Sequence, residues 1–257
     1  MLTKRMAVVV ALFTMVGFAP GIVGPEGNGT TSSCATVLES QVCTWVVMED
    51  GVAKELGATI PMAVIESVSA GGEMVWPPRE MVAVPFPREA REALGVDHLG
   101  LNWEAHGHPP ATFATPHFDF HFYSIDQDEV RAIDCTDESK PAGLPEAYAL
   151  PDIDVPGLGH FVGLCVPAMG MHAMPVPEVD ETEPFEASML IGYYGRMPIF
   201  LEPMVSWEML LKKSAVSLPV PEIDGLLEGV RYPRTFHGEY EAETDSYRLV
   251  FTGFDAQ

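Results

Sequence analysis

The sequence predicts a mainly β chain, an antiparallel sandwich or barrel with two short helices, and three observations carry that prediction. Helix breakers are frequent and dispersed: 23 glycines and 23 prolines are spread through 257 residues, leaving little room for long helices. Short segments rich in β-branched or aromatic residues recur between them. Hydrophobic residues make up 47% of the chain, enough for a substantial core in one large domain or two small ones.

The opening "MLTKRMAVVVALFTMVGFAPGIVG" has the layout of an export signal, with Lys4 and Arg5 ahead of an apolar run from Met6 to Phe18. A signal peptide or N-terminal anchor with a short linker is therefore expected over 1–33, and a single β-rich domain over 34–257. No later apolar run reaches the ~20 residues that a spanning helix needs. The protein is thus expected to be secreted or held at the cell surface, with membrane contact only if the N-terminal segment stays uncleaved.

Strands are expected at "CTWVV" (43–47), "MAVIESV" (62–68), "EMVAVPF" (80–86), "HFDFHFYSI" (117–125), "MLIGYYGRMPIFL" (189–201) and "YRLVFTGF" (247–254). "MEDGVAKELG" places a turn after the first of these, and the Gly-Arg pair of "YYGRMPIF" suits a hairpin. Helical spacing is confined to "PREAREALG" (87–95), which ends on a Gly stop, and "SWEMLLKK" (206–213), where Ser206 suits an N-cap. The Pro-rich stretch 137–159 reads as a long irregular excursion, of a length that in compact domains serves or covers a site.

The formal charge is −23, from 37 acids against 14 bases. Such a surface repels nucleic acid and anionic lipid, which excludes both as expected partners. The four cysteines form no Cys-x-x-Cys or zinc-finger spacing. In an exported chain they suit disulfides, with Cys34–Cys43 and Cys135–Cys165 the expected pairs.

The most informative stretch is "PHFDFHFYSI" (116–125). His117, Asp119, His121 and Tyr123 alternate with Phe118, Phe120 and Phe122, the period of a strand with one packed face. The phenylalanines supply that face; the imidazoles and the carboxylate project from the other. Residues two apart on a strand lie about 6.6–6.8 Å apart and those four apart about 13 Å. The strand alone therefore offers at most two convergent ligands, and a metal site must draw others from elsewhere. "NWEAHGHPP" supplies His106 and His108, "VPAMGMHAMP" supplies His172, and "PIFLEPMVS" supplies Glu202, a carboxylate among apolar neighbours. Imidazoles with carboxylates suit zinc, iron, manganese, nickel or copper, without choosing among them. His98, His160 and His237 read as ordinary surface or hydrogen-bonded residues.

The same segments, in the order "CTWVVMEDGVAKELG", "LNWEAHGHPP", "PHFDFHFY", "VPAMGMHAMP" and "YGRMPIFLEPMVSWEMLL", resemble a family of exported bacterial and archaeal proteins with a Thermus member, classed as a domain of unknown function. The resemblance spans roughly Cys43 to Tyr247. It implies a β-rich fold and a ligand constellation of His108, His117, Asp119, His121, His172 and Glu202, but no activity. Two positions depart from the pattern: Ala173 stands where an aromatic is usual and Pro175 where an acid is usual. Against a cupin the likeness is one of site type only, since the strand histidines here are four apart and not two.

Three functions follow as expectations. The first is a protein binding one divalent transition metal. The second is a metal-dependent enzyme, hydrolase or cupin-like oxygenase, with an open water position and Tyr123 as a candidate proton donor. The third is a metal-free assembly protein, a homo-oligomer meeting through its histidine face. No nucleophile elbow, phosphate loop or dinucleotide fingerprint is present.

Overall fold

The structure, a computed structural model, describes residues 28–71, 81–155, 157–180 and 182–254. Most of the expected signal segment lies outside these residues. The chain runs through β1 (Gly29–Val37), β2 (Ser40–Glu49), β3 (Val52–Pro61), α1 (Met62–Ser67), β4 (Val82–Pro85), α2 (Arg88–Leu94), β5 (His98–Glu104) and β6 (His117–Tyr123). Then follow α3 (Gln127–Arg131), β7 (Tyr148–Ala149), β8 (Ile153–Val155), β9 (Gly159–Phe161), β10 (Met171–Pro175) and α4 (Val176–Asp180). The last elements are β11 (Ala187–Tyr194), β12 (Met197–Ser206), α5 (Trp207–Leu211), β13 (Val216–Pro219), β14 (Thr235–Glu241) and β15 (Ser246–Thr252).

The strands form a six-stranded sheet, β1-β2-β3-β15-β14-β13, and a seven-stranded sheet, β4-β5-β6-β12-β11-β10-β7, with β8 and β9 as a separate hairpin. All pairings are antiparallel. The sheets stay open, so the molecule is a sandwich and not a barrel. Both expected hairpins form. Asp50 and Gly51 turn β2 into β3, and Gly195 and Arg196 turn β11 into β12, all four with positive φ as a twisted two-residue turn requires.

Between the sheets lies the main core. Phe118, Phe120 and Phe122 project into it from β6, and Phe122 meets Phe251 of β15 edge-on at 4.7 Å. A second, smaller cluster of Phe113, Leu164, Met174, Phe185, Leu190 and Met204 lies apart from it. It includes residues of β10, β11 and β12 together with residues of the connecting segments. Every residue of β6 is consequently buried, on both faces.

Three sequence expectations are corrected. "MAVIESV" forms α1 and not a strand: Pro61 precedes its first turn, and Met62 and Ile65, three apart, both face inward. The helices number five among the described residues, not two; α3 opens with a full capping box between Asp126 and Glu129. The β-rich fold also includes residues before the expected boundary at 34, because β1 runs from Gly29 and pairs along β2. Its Thr- and Ser-rich run alternates between exposed and half-buried and offers no apolar signal. The helices expected within 87–95 and 206–213 are present, over Arg88–Leu94 and Trp207–Leu211; the Ser206 hydroxyl accepts from Met209 N at 3.3 Å. Both expected disulfides form, Cys34–Cys43 across β1 and β2 and Cys135–Cys165 across the long excursion.

Candidate metal centre

Antiparallel register assembles the site. Opposite β6, the β5 strand sets Gly100 against His121, Asn102 against Asp119 and Glu104 against His117. On the other side β12 pairs Leu201 with Phe122 and Met204 with Asp119, which puts Glu202 beside His121. His172 of β10 pairs with Gly192, which in turn pairs with Phe200. Gly192 is required here: a Cβ at that position would lie 1.9 Å from the Phe200 ring. That ring packs edge-on against His121 at 4.9 Å and tilted against His172 at 5.3 Å.

His108 arrives from the connection between β5 and β6. Gly107 adopts φ 67, and a Cβ there would meet the Phe113 carbonyl at 2.0 Å, so only glycine permits the turn. His108 N then donates to that same carbonyl at 3.1 Å, and its ring lies against His117 with centroids 4.9 Å apart.

The six sequence-selected residues thus come together, as two groups. His108, His117 and Asp119 offer ligand atoms within 4.8 Å of one another, and so do His121, His172 and Glu202. All but His108 are buried. His108, Asp119, His121, His172 and Glu202 line a common cavity of about 50 Å³, room for a few waters or a small ligand group. Val155, Leu158 and Phe161 of the β8–β9 hairpin form part of its apolar wall, so the later part of the Pro-rich excursion does cover a site.

The hydrogen bonding fixes which nitrogens face inward. His108 Nδ1 pairs with the Pro109 carbonyl at 2.8 Å, His117 Nδ1 with Thr115 O at 2.6 Å, and His172 Nδ1 with Leu164 O at 3.0 Å. A carbonyl can only accept, so each Nδ1 carries a proton; in His108 and His172, which burial keeps neutral, each Nε2 is then a lone pair, the tautomer that a metal-ligating histidine needs. His117 Nε2, Asp119 Oδ1, Glu202 Oε2 and both nitrogens of His121 are buried with no hydrogen-bond partner. The close approaches are of imidazole to carboxylate: His117 Nε2 to Asp119 Oδ1 at 3.1 Å, His121 Nε2 to Glu202 Oε1 at 3.3 Å, and His172 Nε2 to Glu202 Oε2 at 3.8 Å.

Burial sets the protonation of the empty-handed groups. It drives His121 down to about 3 and His108 down to about 4, with neighbouring histidines acting in the same direction. His172 is also lowered by burial. Glu202 is pushed well above the usual carboxylate range by burial and by the charges of Asp119 and Glu104. His117 and Asp119 are the exception. Burial opposes both charges, yet their mutual attraction outweighs it, raising the imidazole and lowering the carboxyl.

Glu104 is the residue that sequence reasoning missed. It lines the cavity, and its Oε1 accepts from Asn102 Nδ2 at 2.6 Å. Burial and Asp119 raise it to about 7. The signal was present in "HLGLNWE", where His98, Gly100, Asn102 and Glu104 alternate with Leu99, Leu101 and Trp103 just as the ligands of β6 alternate with its phenylalanines. His106 belongs to neither group. Tyr123 shares the ligand face, but its hydroxyl donates to Met169 O at 3.2 Å and its ring stacks on His98 and His121. It is not among the residues that line the cavity. His98 is buried and bonded to Asp97, and His160 pairs with Asp154 near the surface, as expected of non-ligands.

Comparison of the chain with protein-family models, with curated proteins and with solved structures finds no match.

Proposed function

We propose that this is an extracytoplasmic protein that binds a divalent transition metal on His121, His172 and Glu202, with a further coordination position turned toward the cavity. The observation that carries the reading is the set of buried, unpaired ligand atoms at His121 and Glu202, beside His172 with its Nε2 free of a proton. Natural proteins rarely leave such atoms unsatisfied, and one cation would take up one nitrogen of His121 together with Glu202 Oε2. Two imidazoles and one carboxylate are the donor set of many catalytic zinc and non-haem iron sites, which keep a position open. A bound dication would supply Lewis acidity toward a water or an oxygen of a small ligand in the cavity.

The protein's own residues do the rest. Leu164 O orients His172, the Phe200 ring packs against both imidazoles, and Leu158, Val155 and Phe161 keep the wall apolar. The resemblance to an exported metal-ligand pattern is part of this reading. So is an oxidising compartment, which two disulfides and no free cysteine favour. Among the described residues no helix is long and apolar enough to cross a membrane. The assembly reading is disfavoured because the chain's own connections already cover the histidine face.

The test is metal analysis of protein purified without chelator, followed by cobalt substitution. Bound metal is expected, with a visible spectrum that changes when azide or cyanide is added; His121→Ala should lose that spectrum. Protein that neither carries metal nor takes it up would refute the reading. An unchanged spectrum in the presence of anions would show a closed shell.

A further inference from the structure

We propose that His108, His117 and Asp119 form a second cation site of their own, so that the cavity holds two metal ions per chain. Strand geometry separates the sites. His117 and His121 stand four apart on β6, about 13 Å along an extended strand, whereas ligands of one metal sit about 2.0–2.2 Å from it. The ligand atoms accordingly gather in two groups, with His117 and Asp119 in one and His121 in the other.

The first group has the features of a built site. His117 is fully buried and its Nε2 has no hydrogen-bond partner, nor does the buried Oδ1 of Asp119. These two atoms lie 3.1 Å apart without hydrogen-bond alignment, a spacing that fits two ligands sharing one ion. His117 and His108 each anchor Nδ1 on a backbone carbonyl, which turns both Nε2 atoms inward, where a cation would displace any proton that His117 shares with Asp119. The connection carrying His108 is held in place by the glycine turn at Gly107.

Charge supports the same count. Glu104, Asp119 and Glu202 all line the cavity, and its wall includes no lysine or arginine among the described residues. Three carboxyl groups share the cavity, and one dication at His121, His172 and Glu202 leaves Glu104 and Asp119 together at its other end, where a second cation would favour their ionised forms. A second ion between His117 and Asp119 neutralises that end. Glu104, opposite His117 and held by Asn102, is placed to complete its coordination.

The experiment is equilibrium dialysis of chelator-stripped full-length protein against zinc or cobalt, with bound metal measured per chain. Wild type is expected to bind two ions. His108→Ala, in a half-buried connection, should bind one ion and keep the anion-sensitive cobalt spectrum of the His121 site. His117→Gln should do the same, and circular dichroism identifies any variant that has not folded. Because His121→Ala should also bind one ion, now at the His108 end, failure of the site proposed earlier is separable from failure of this one. Folded His108→Ala and His117→Gln that bind as much metal as wild type would overturn the second site. A wild type that binds one ion, lost only in His121→Ala, would overturn it equally.

Discussion

On one face of β6, Phe118, Phe120 and Phe122 meet the opposing sheet; on the other, Asp119 and His121 meet a cavity lined partly by loops, with His117 buried beside Asp119. Both faces are buried to the same degree, and they differ in how completely they are satisfied. The phenyl rings find close partners in Phe86, Trp103 and Phe251, and nothing about them is left over. On the polar face the His117 Nδ1 is tied to a carbonyl, while both nitrogens of His121, the His117 Nε2 and the Asp119 Oδ1 have no hydrogen-bond partner and meet only in imidazole–carboxylate approaches. The strand thus separates stability from binding by the parity of residue number. Its odd positions hold a face that destabilises the metal-free fold, because buried polar atoms without partners cost free energy.

Removing one ring from the apolar face should give the largest effect. Phe120 is fully buried, and Phe120→Ala is expected to lose about 3–5 kcal/mol in urea denaturation. Metal uptake by the fraction still folded should be unchanged. A variant that lost metal while keeping its stability would break the separation of the two faces.

The polar face should behave in the opposite sense. Saturating stripped wild type with zinc at a hundred times its dissociation constant should raise stability by about 2.7 kcal/mol. Glu202→Gln should lose most of that gain. Without metal it should be as stable as wild type or more so, since it replaces a buried carboxyl that burial already drives toward its neutral form. Parallel denaturation curves with and without zinc measure both quantities.

Glu104 sharpens the comparison through pH. Its carboxyl is raised from an ordinary 4.5 to about 7, so the folded state holds a proton that the unfolded state has already released. Its contribution to stability is therefore fully present below about 4.5 and is lost as pH rises through about 7. Glu104→Gln cannot ionise. Its stability relative to stripped wild type should climb between pH 4.5 and 7 and then level off, by about 1–3 kcal/mol after allowance for partial exposure. Thermal melts at four or five pH values would show this; a flat difference would mean that Glu104 does not feel the cavity.

What could be read from the sequence divides along the same physical line. Period-two alternation in β6 and the β11–β12 hairpin reports a local property of the chain, so both were legible. The six ligand candidates were legible because histidines and a carboxylate in apolar surroundings are chemically conspicuous. Their division into two groups was not, because it depends on the register of β12 against β6 and on the turn at Gly107, which no local pattern states. Glu104 was hidden by composition: "HLGLNWE" alternates as β6 does, but glycine and asparagine stand where ligands stand in β6. α1 was misread because Val64 and Ile65 favour a strand in isolation, whereas burial of Met62 and Ile65 on one side decides for helix.

The smallest effect concerns the cover and not the strand. Leu164, whose carbonyl orients His172, immediately precedes Cys165, and the Cys165–Cys135 bond ties that segment to the chain following α3. The other bond, Cys34–Cys43, crosslinks two paired strands of the opposing sheet. Replacing either pair with serine should cost stability through the unfolded chain. Only the Cys135/Cys165 replacement should also free the Leu164 carbonyl to drift, loosening His172 at its outer nitrogen. Outer-shell partners of metal-ligating histidines are worth about 10–100-fold in affinity, and an indirect tether belongs at the low end, so a loss near tenfold is expected in zinc competition titrations. The Cys34/Cys43 replacement should leave affinity at the wild-type value. Equal losses from the two replacements would mean that the site responds to global stability, and the distinction between a scaffold sheet and a binding sheet would fail.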